Sequence, residues 1–318
     1  MRYLTLCLLS IFFMTSCSDD SKEKEIATIP MTVSIKRFDK KFAEATPSDI
    51  PELKKEFPFL FPPQYHDSIW VQKMQDTLQL ELEQEVFKVY ADFSRQEEDI
   101  KNLFQHIKYY FPEFKSPTII TLISDVDYRN RVIAVDSLLF IGLDNFLGNN
   151  HRFYEGIQQY LSKTFTPEQL VPNIADTYAK QIVVPTAERT FLSKMMYYGK
   201  VLYLKELLLP NTEKQHIIGY SKEEIDWAQA NEIEIWRYFI ERELLFSTDD
   251  KLSNRFLNPA PFSKFYLELD NESPGKIGQY IGWQIVRAYA QNTDATIDQI
   301  ITAKAEDIFK QSKYKPRK

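Results

Sequence analysis

Cysteine, glycine and histidine are all scarce: two, eight and four among 318 residues. Both cysteines, Cys7 and Cys17, lie at the N-terminus. Beyond residue 17 the chain can therefore form no disulfide, no thiolate-ligated zinc or iron–sulfur site and no cysteine nucleophile. The histidines His66, His106, His151 and His216 are widely separated. No two stand three to five residues apart, so there is no H-x-x-x-H pair to grip zinc. The few glycines form no G-x-G-x-x-G, no Walker-type loop and no G-x-S-x-G elbow. Positive charge is in deficit, with 39 Lys+Arg against 45 Asp+Glu and a net charge of −6. That makes the chain a poor candidate for binding nucleic acid through a phosphate-neutralising face. Long apolar runs are missing too. The stretch from Tyr3 to Phe13 falls short of the roughly 20 residues of a membrane span.

The chain is otherwise built for a core: 44% of residues are hydrophobic and 26% charged. These values are globular and far from disordered or collagen-like composition. Sixteen prolines, 18 tyrosines and 23 phenylalanines suggest helices packed through aromatic rings. At the N-terminus one cation, Arg2, precedes the short apolar run, as in a secretory signal. Met14-Thr15-Ser16-Cys17 resembles a bacterial lipobox. This predicts a signal peptide over 1–16, cleavage before Cys17 and acylation of its thiol, with palmitate among the chains. Several acyl chains, at about 0.8 kcal/mol per buried CH2, hold a protein to a membrane far better than one. Residues 17–30 read as a lipid-anchored flexible tether and 31–318 as a single globular domain. Ser18-Asp19-Asp20 resembles the acidic signal that sends some Bacteroidetes lipoproteins to the outer-membrane surface. A plain solvated tether reads equally well, so periplasmic side and outer surface both stay open.

Apolar alternation predicts a strand near Thr32–Phe38 and β-rich runs at Thr118–Ser124 and Val132–Leu143. Helical periodicity covers Ser68–Phe111. It returns near His151–Lys163, Pro167–Val183, Ala187–Leu209, Lys222–Phe246, Lys276–Gln291 and Ile297–Gln311, with prolines between most of them. The expected fold is α+β and mostly helical, with a small antiparallel sheet. No internal repeat is visible.

Two features could carry function. Glu232 falls in an apolar row of the 222–246 helix, with Asn231 and Trp236 beside it, and a buried carboxylate needs a partner or a shifted pKa. Asn231, Glu232, Trp236 and Arg287 are the candidate binding pocket; a structural ion pair of Glu232 with Arg287 or Arg237 is the plainer account. Gly278 and Gly282 form a smooth stripe on a late helix, predicted to pack closely against the segment around Trp227–Phe246.

Five stretches then carry a resemblance: FIGLDNFLG (140–148), SKMMYYGKVLYLKELLLP (193–210), GYSKEEIDWAQANEIEIWRYFIERELLFSTD (219–249), NPAPF (258–262) and SPGKIGQYIGWQIVRAYA (273–290). In this order they resemble the gliding motility-associated lipoproteins of Bacteroidetes, GldB type. The resemblance implies a cell-envelope lipoprotein, linked to gliding in some members, and no enzymatic activity. A more distant order of elements is similar to zincin-like metallopeptidase domains. Those carry H-E-x-x-H where this chain has PEQLVPNIADTYAKQIV, without histidine, and an acidic residue where it has Tyr197-Tyr198-Gly199. The likeness implies a degenerate zincin-like fold, a pseudoenzyme with no metal and no cofactor. The expectation is a non-catalytic, lipid-anchored protein that binds a partner or glycan and works with envelope or gliding-machinery proteins. The alternative is an envelope peptidase or glycosidase using Glu232 and Glu241.

Overall fold

A computed structural model describes residues 17–185, 187–267 and 270–316. The signal peptide expected over 1–16 lies outside the described residues. The first half of the chain builds a sheet flanked by helices: α1 (Cys17–Ala27), β1 (Ser34–Arg37), α2 (Phe38–Glu44), α3 (Ile50–Glu56), α4 (Asp67–Gln75), α5 (Thr77–Tyr90), α6 (Ser94–Tyr110), β2 (Thr118–Leu122), β3 (Val132–Val135) and β4 (Leu138–Gly142). The second half is helical: α7 (Gln159–Ser162), α8 (Leu170–Ile182), α9 (Phe191–Leu208), α10 (Lys214–Ile218), α11 (Lys222–Ala230), α12 (Glu232–Glu241), α13 (Lys251–Phe256), α14 (Ile277–Asn292), α15 (Ile297–Thr302) and α16 (Ala305–Ser312).

The fold is α+β and mostly helical, as expected, but the sheet is mixed. Its order is β1-β2-β4-β3, with β1, β2 and β4 parallel and only β3 antiparallel to β4. The run expected over Val132–Leu143 divides into a β3–β4 hairpin at Asp136-Ser137, where Asp136 takes the left-handed conformation (φ +51°) that such turns need. The parallel pairs join strands far apart in sequence. Alternation along β2 splits the interior into two cores. Ile119 joins the large core that extends through the helical half, whereas Ile120 faces a smaller one with Phe42, Leu53, Phe57 and Phe61.

The tether is partly a docked helix. Ile26 of α1 is deeply buried; Gln105 of α6 donates to the carbonyls of Ala27 (3.1 Å) and Ile29 (2.8 Å), and His106 meets Glu23 at 3.1 Å. Its sequence has no apolar stripe, so tertiary contacts rather than periodicity place it. Three long helical readings are broken, one of them the 297–311 segment, which divides at Ala303 and Lys304 into α15 and α16. The 222–246 segment divides at Asn231, whose side chain donates to the Trp227 carbonyl at 2.9 Å. The 151–163 segment holds only a short turn and α7.

The close helix crossing exists, with a different neighbour. A Cβ on Gly282 would stand 2.2 Å from the Met195 carbonyl oxygen, and one on Gly199 would stand 2.4 Å from that of Gly282. Gly278 approaches Phe256, Leu257 and Phe191. The partner of α14 is thus α9, not the 227–246 segment. α9 is wrapped on nearly all sides, so it supplies the larger apolar surface.

Candidate functional site

The four predicted pocket residues fall into separate sets. Glu232 is only 2% exposed. Its two carboxylate oxygens accept hydroxyl hydrogen bonds from Tyr280 of α14 (2.9 Å) and from Tyr314 after α16 (2.8 Å). Trp236 lies edge-on to Tyr314, with ring centroids 5.2 Å apart. Arg287 turns instead to Glu206 of α9 at 3.3 Å, and Trp283 donates to the same carboxylate at 2.9 Å. Arg237 pairs with Glu234. The ion pair weighed for Glu232 is therefore replaced by two phenols, which pin the C-terminal segment and α14 to α12. None of the four lines the cavities described next.

The arrangement with chemical potential is a cavity of about 300 Å³ between α8, α9 and the start of α14. It begins with Asp176 and Lys180, one turn apart on α8, and Lys205 on α9. Asp176 is paired with Lys180 at 2.6 Å and with Lys205 at 3.2 Å. Burial alone would raise the Asp176 carboxyl, but the two ammonium groups outweigh it and hold it well below the usual range. The Lys205 ammonium is pushed down by burial, against the pull of Asp176.

Arg131, just before β3, donates to Thr164 Oγ1 at 3.2 Å and lies over the rings of Phe165 (5.2 Å) and Phe146 (5.5 Å). Burial pushes its guanidinium down to about 10. Lys163 is paired with Glu224 at 2.6 Å, whose other oxygen accepts from the Ser221 amide. Lys276 enters from the residue before α14. Its Nζ donates to the Ile218 carbonyl at 2.7 Å and lies 5.3 Å from the centre of the Tyr220 ring. Burial, then the neighbouring cations Lys163 and Lys205, push this amine down to about 7. Its backbone is left-handed, φ +62°, a conformation that disfavours side chains other than glycine and asparagine. Gly219 stands opposite in a left-handed conformation (φ +70°), where a Cβ would meet Lys276 Nζ at an ordinary 3.7 Å.

Five basic side chains thus line the cavity, while two carboxylates, Asp176 and Glu224, neutralise part of their charge. Among the described residues neither Arg131 nor Lys276 has a carboxylate within 4.0 Å, so the space attracts anions. A larger cavity of about 490 Å³ between α1, α6 and the α9–α10 turn sets Arg95 against Glu23, Asp99, Glu168 and Glu213, and has no such excess. Among the described residues no group of three or more His, Cys, Asp or Glu stands where it could hold a metal.

Sequence reasoning missed this site. Lys205 within KVLYLKELL was a usable signal, because lysine is almost never buried without cause. The signal at Lys276 was its place beside Gly275, where a helix was expected to start.

Comparison with curated proteins and with solved structures gives no match, so the zincin likeness has no support from that side. A family profile does match: that described as gliding motility protein GldB, over residues 19–316, which takes in all five stretches that carry the resemblance. The chain belongs to the GldB family of gliding motility proteins.

Proposed function

We propose that this protein is a non-catalytic lipoprotein of the cell envelope, anchored through Cys17, that serves gliding motility by holding a partner or glycan rather than by turning one over. The observation that carries the reading is the family match from residue 19 to 316, which begins two residues after the lipobox cysteine. No described helix is long and apolar enough to cross a membrane, and a lipid at Cys17 supplies the attachment. The globular unit, residues 31–318, then presents the cation-lined cavity between α8, α9 and α14 for recognition. A few fixed polar groups around a concave site are suited to orienting a ligand.

The hydrolase alternative gains nothing from the carboxylates first considered. Glu232 is held by two tyrosine hydroxyls and Glu241 is exposed on α12. A proton-transferring pair has to reach one substrate together.

Cys17→Ala tests the anchor. The variant should leave the membrane fraction and lose metabolic labelling with a palmitate analogue. A protein that still sediments and still labels would contradict the reading.

A further inference from the structure

We propose that the cavity between α8, α9 and the start of α14 is a binding site for a phosphoryl group. The inference rests on the reading that the protein acts by binding, and it names the chemistry bound. Arg131, Lys163, Lys205 and Lys276 reach the cavity from four separate segments, and Lys180 joins Lys205 on Asp176. Taking cations out of water costs several kcal/mol each unless they are paired, and like charges crowded together add to that. Asp176 and Glu224 answer only part of the charge. A single carboxylate would leave an excess. A phosphoryl dianion, with its terminal oxygens gathered on one atom, can accept from an arginine fork and several ammonium groups at once.

Lys276 is the second line of argument. It sits in a left-handed backbone conformation, of order 1–3 kcal/mol for a residue of this kind, and its amine is desolvated beside two other cations. Glycine there would avoid both costs. A residue held against strain and against charge repulsion in one place is the mark of a group kept for a ligand. α14 also starts at the cavity wall, so the positive end of its dipole adds to the same field. Around the cations, Tyr128, Tyr160 and Tyr198 line the cavity and make no hydrogen bond through their hydroxyls to the described protein. At about 300 Å³ the space is near the lower end of ligand pockets, large enough for a sugar-sized body behind the phosphoryl group.

Isothermal titration of the detergent-solubilised full lipoprotein would use inorganic phosphate, glucose 1-phosphate, glucose and tricarballylate at matched ionic strength. One or both phosphoryl probes should bind saturably, and glucose and the tricarboxylate should not. Tighter binding of the ester would identify a phosphorylated envelope sugar as the source, and tighter binding of inorganic phosphate would identify the free ion. Arg131→Gln and Lys276→Met should each weaken binding at least tenfold while melting no lower than 5 °C below the wild type. Lys222→Gln, an exposed lysine paired with Asp226, should bind as the wild type does. Absence of saturable binding, equal binding by tricarballylate, or undiminished binding in both cavity variants would overturn the site. Such a failure would leave the Cys17 anchor and the binding role in gliding standing. Release of phosphate from the ester, abolished by Lys276→Met, would support the site and overturn the non-catalytic reading.

Discussion

At the scale of single residues, Lys276 should betray itself through pH. In the folded protein its amine is pushed down to about 7, by burial first and then by Lys163 and Lys205, with Glu224 and Asp176 pulling the other way. In the unfolded chain it titrates near ~10.4. Between those values the unfolded chain binds the proton and the folded one does not. Stability should therefore rise with pH across that window, by at most about 1.4 kcal/mol per unit. Below pH 7 both states carry the proton and the full penalty of the buried cation is present. Lys276→Met should flatten this slope and raise the melting midpoint at pH 6; an unchanged slope between pH 7 and 10 would place the amine in water. Glu232 makes the opposite prediction. Its carboxylate takes two phenol hydrogen bonds in a buried site, so Glu232→Gln should lower stability by about 1.5–3 kcal/mol, the range for a hydrogen bond to a charged group. Cavity binding per folded molecule should stay intact. Lost ligand capture at an unchanged melting temperature would restore Glu232 to a binding role.

At the scale of elements, the crossing of α9 and α14 decides how the cavity is held. Two of its walls are these helices, and they touch backbone to backbone at Gly199 and Gly282. Alanine in a helix interior normally gains about 1 kcal/mol over glycine. At Gly282 the added Cβ would fall 2.2 Å from a carbonyl oxygen, so the sign should reverse. Gly282→Ala should cost at least the 1–3 kcal/mol typical of overpacking, read as a lower denaturation midpoint; a stabilised variant would show the helices further apart. The sequence announced this stripe through its spacing but not its partner, because Met195 and Gly199 lie in a helix whose apolar residues cover most of its circumference and give no preferred face. The helix ends behave similarly. Thr190 caps α9 by accepting from the Ser193 amide, which starts that helix later than the periodicity from Ala187 implied. Asn231 breaks the next long segment through a local hydrogen bond that competes with the helix.

At the scale of the whole molecule, what was legible was local. The β-rich runs, the helix-rich second half and the family motifs are all written within short stretches. The parallel pairing of β1, β2 and β4, the docking of α1 on α6 and the cation-lined cavity were not legible, since each depends on residues from distant segments meeting. Arg131, Asp176, Lys205 and Lys276 span more than a hundred residues and share no motif. Their common feature, charge removed from water, exists only after folding. On the proposed reading, a lipid on Cys17 carries the globular unit on a membrane and the cavity between α8, α9 and α14 takes the ligand; the family match itself gives gliding motility. The most direct measurement of that account is colony spreading of a gliding strain whose own family member is replaced by the Lys276→Met protein. The account predicts that spreading is lost while the variant remains in the membrane fraction at wild-type abundance. Wild-type spreading under the same conditions would contradict it.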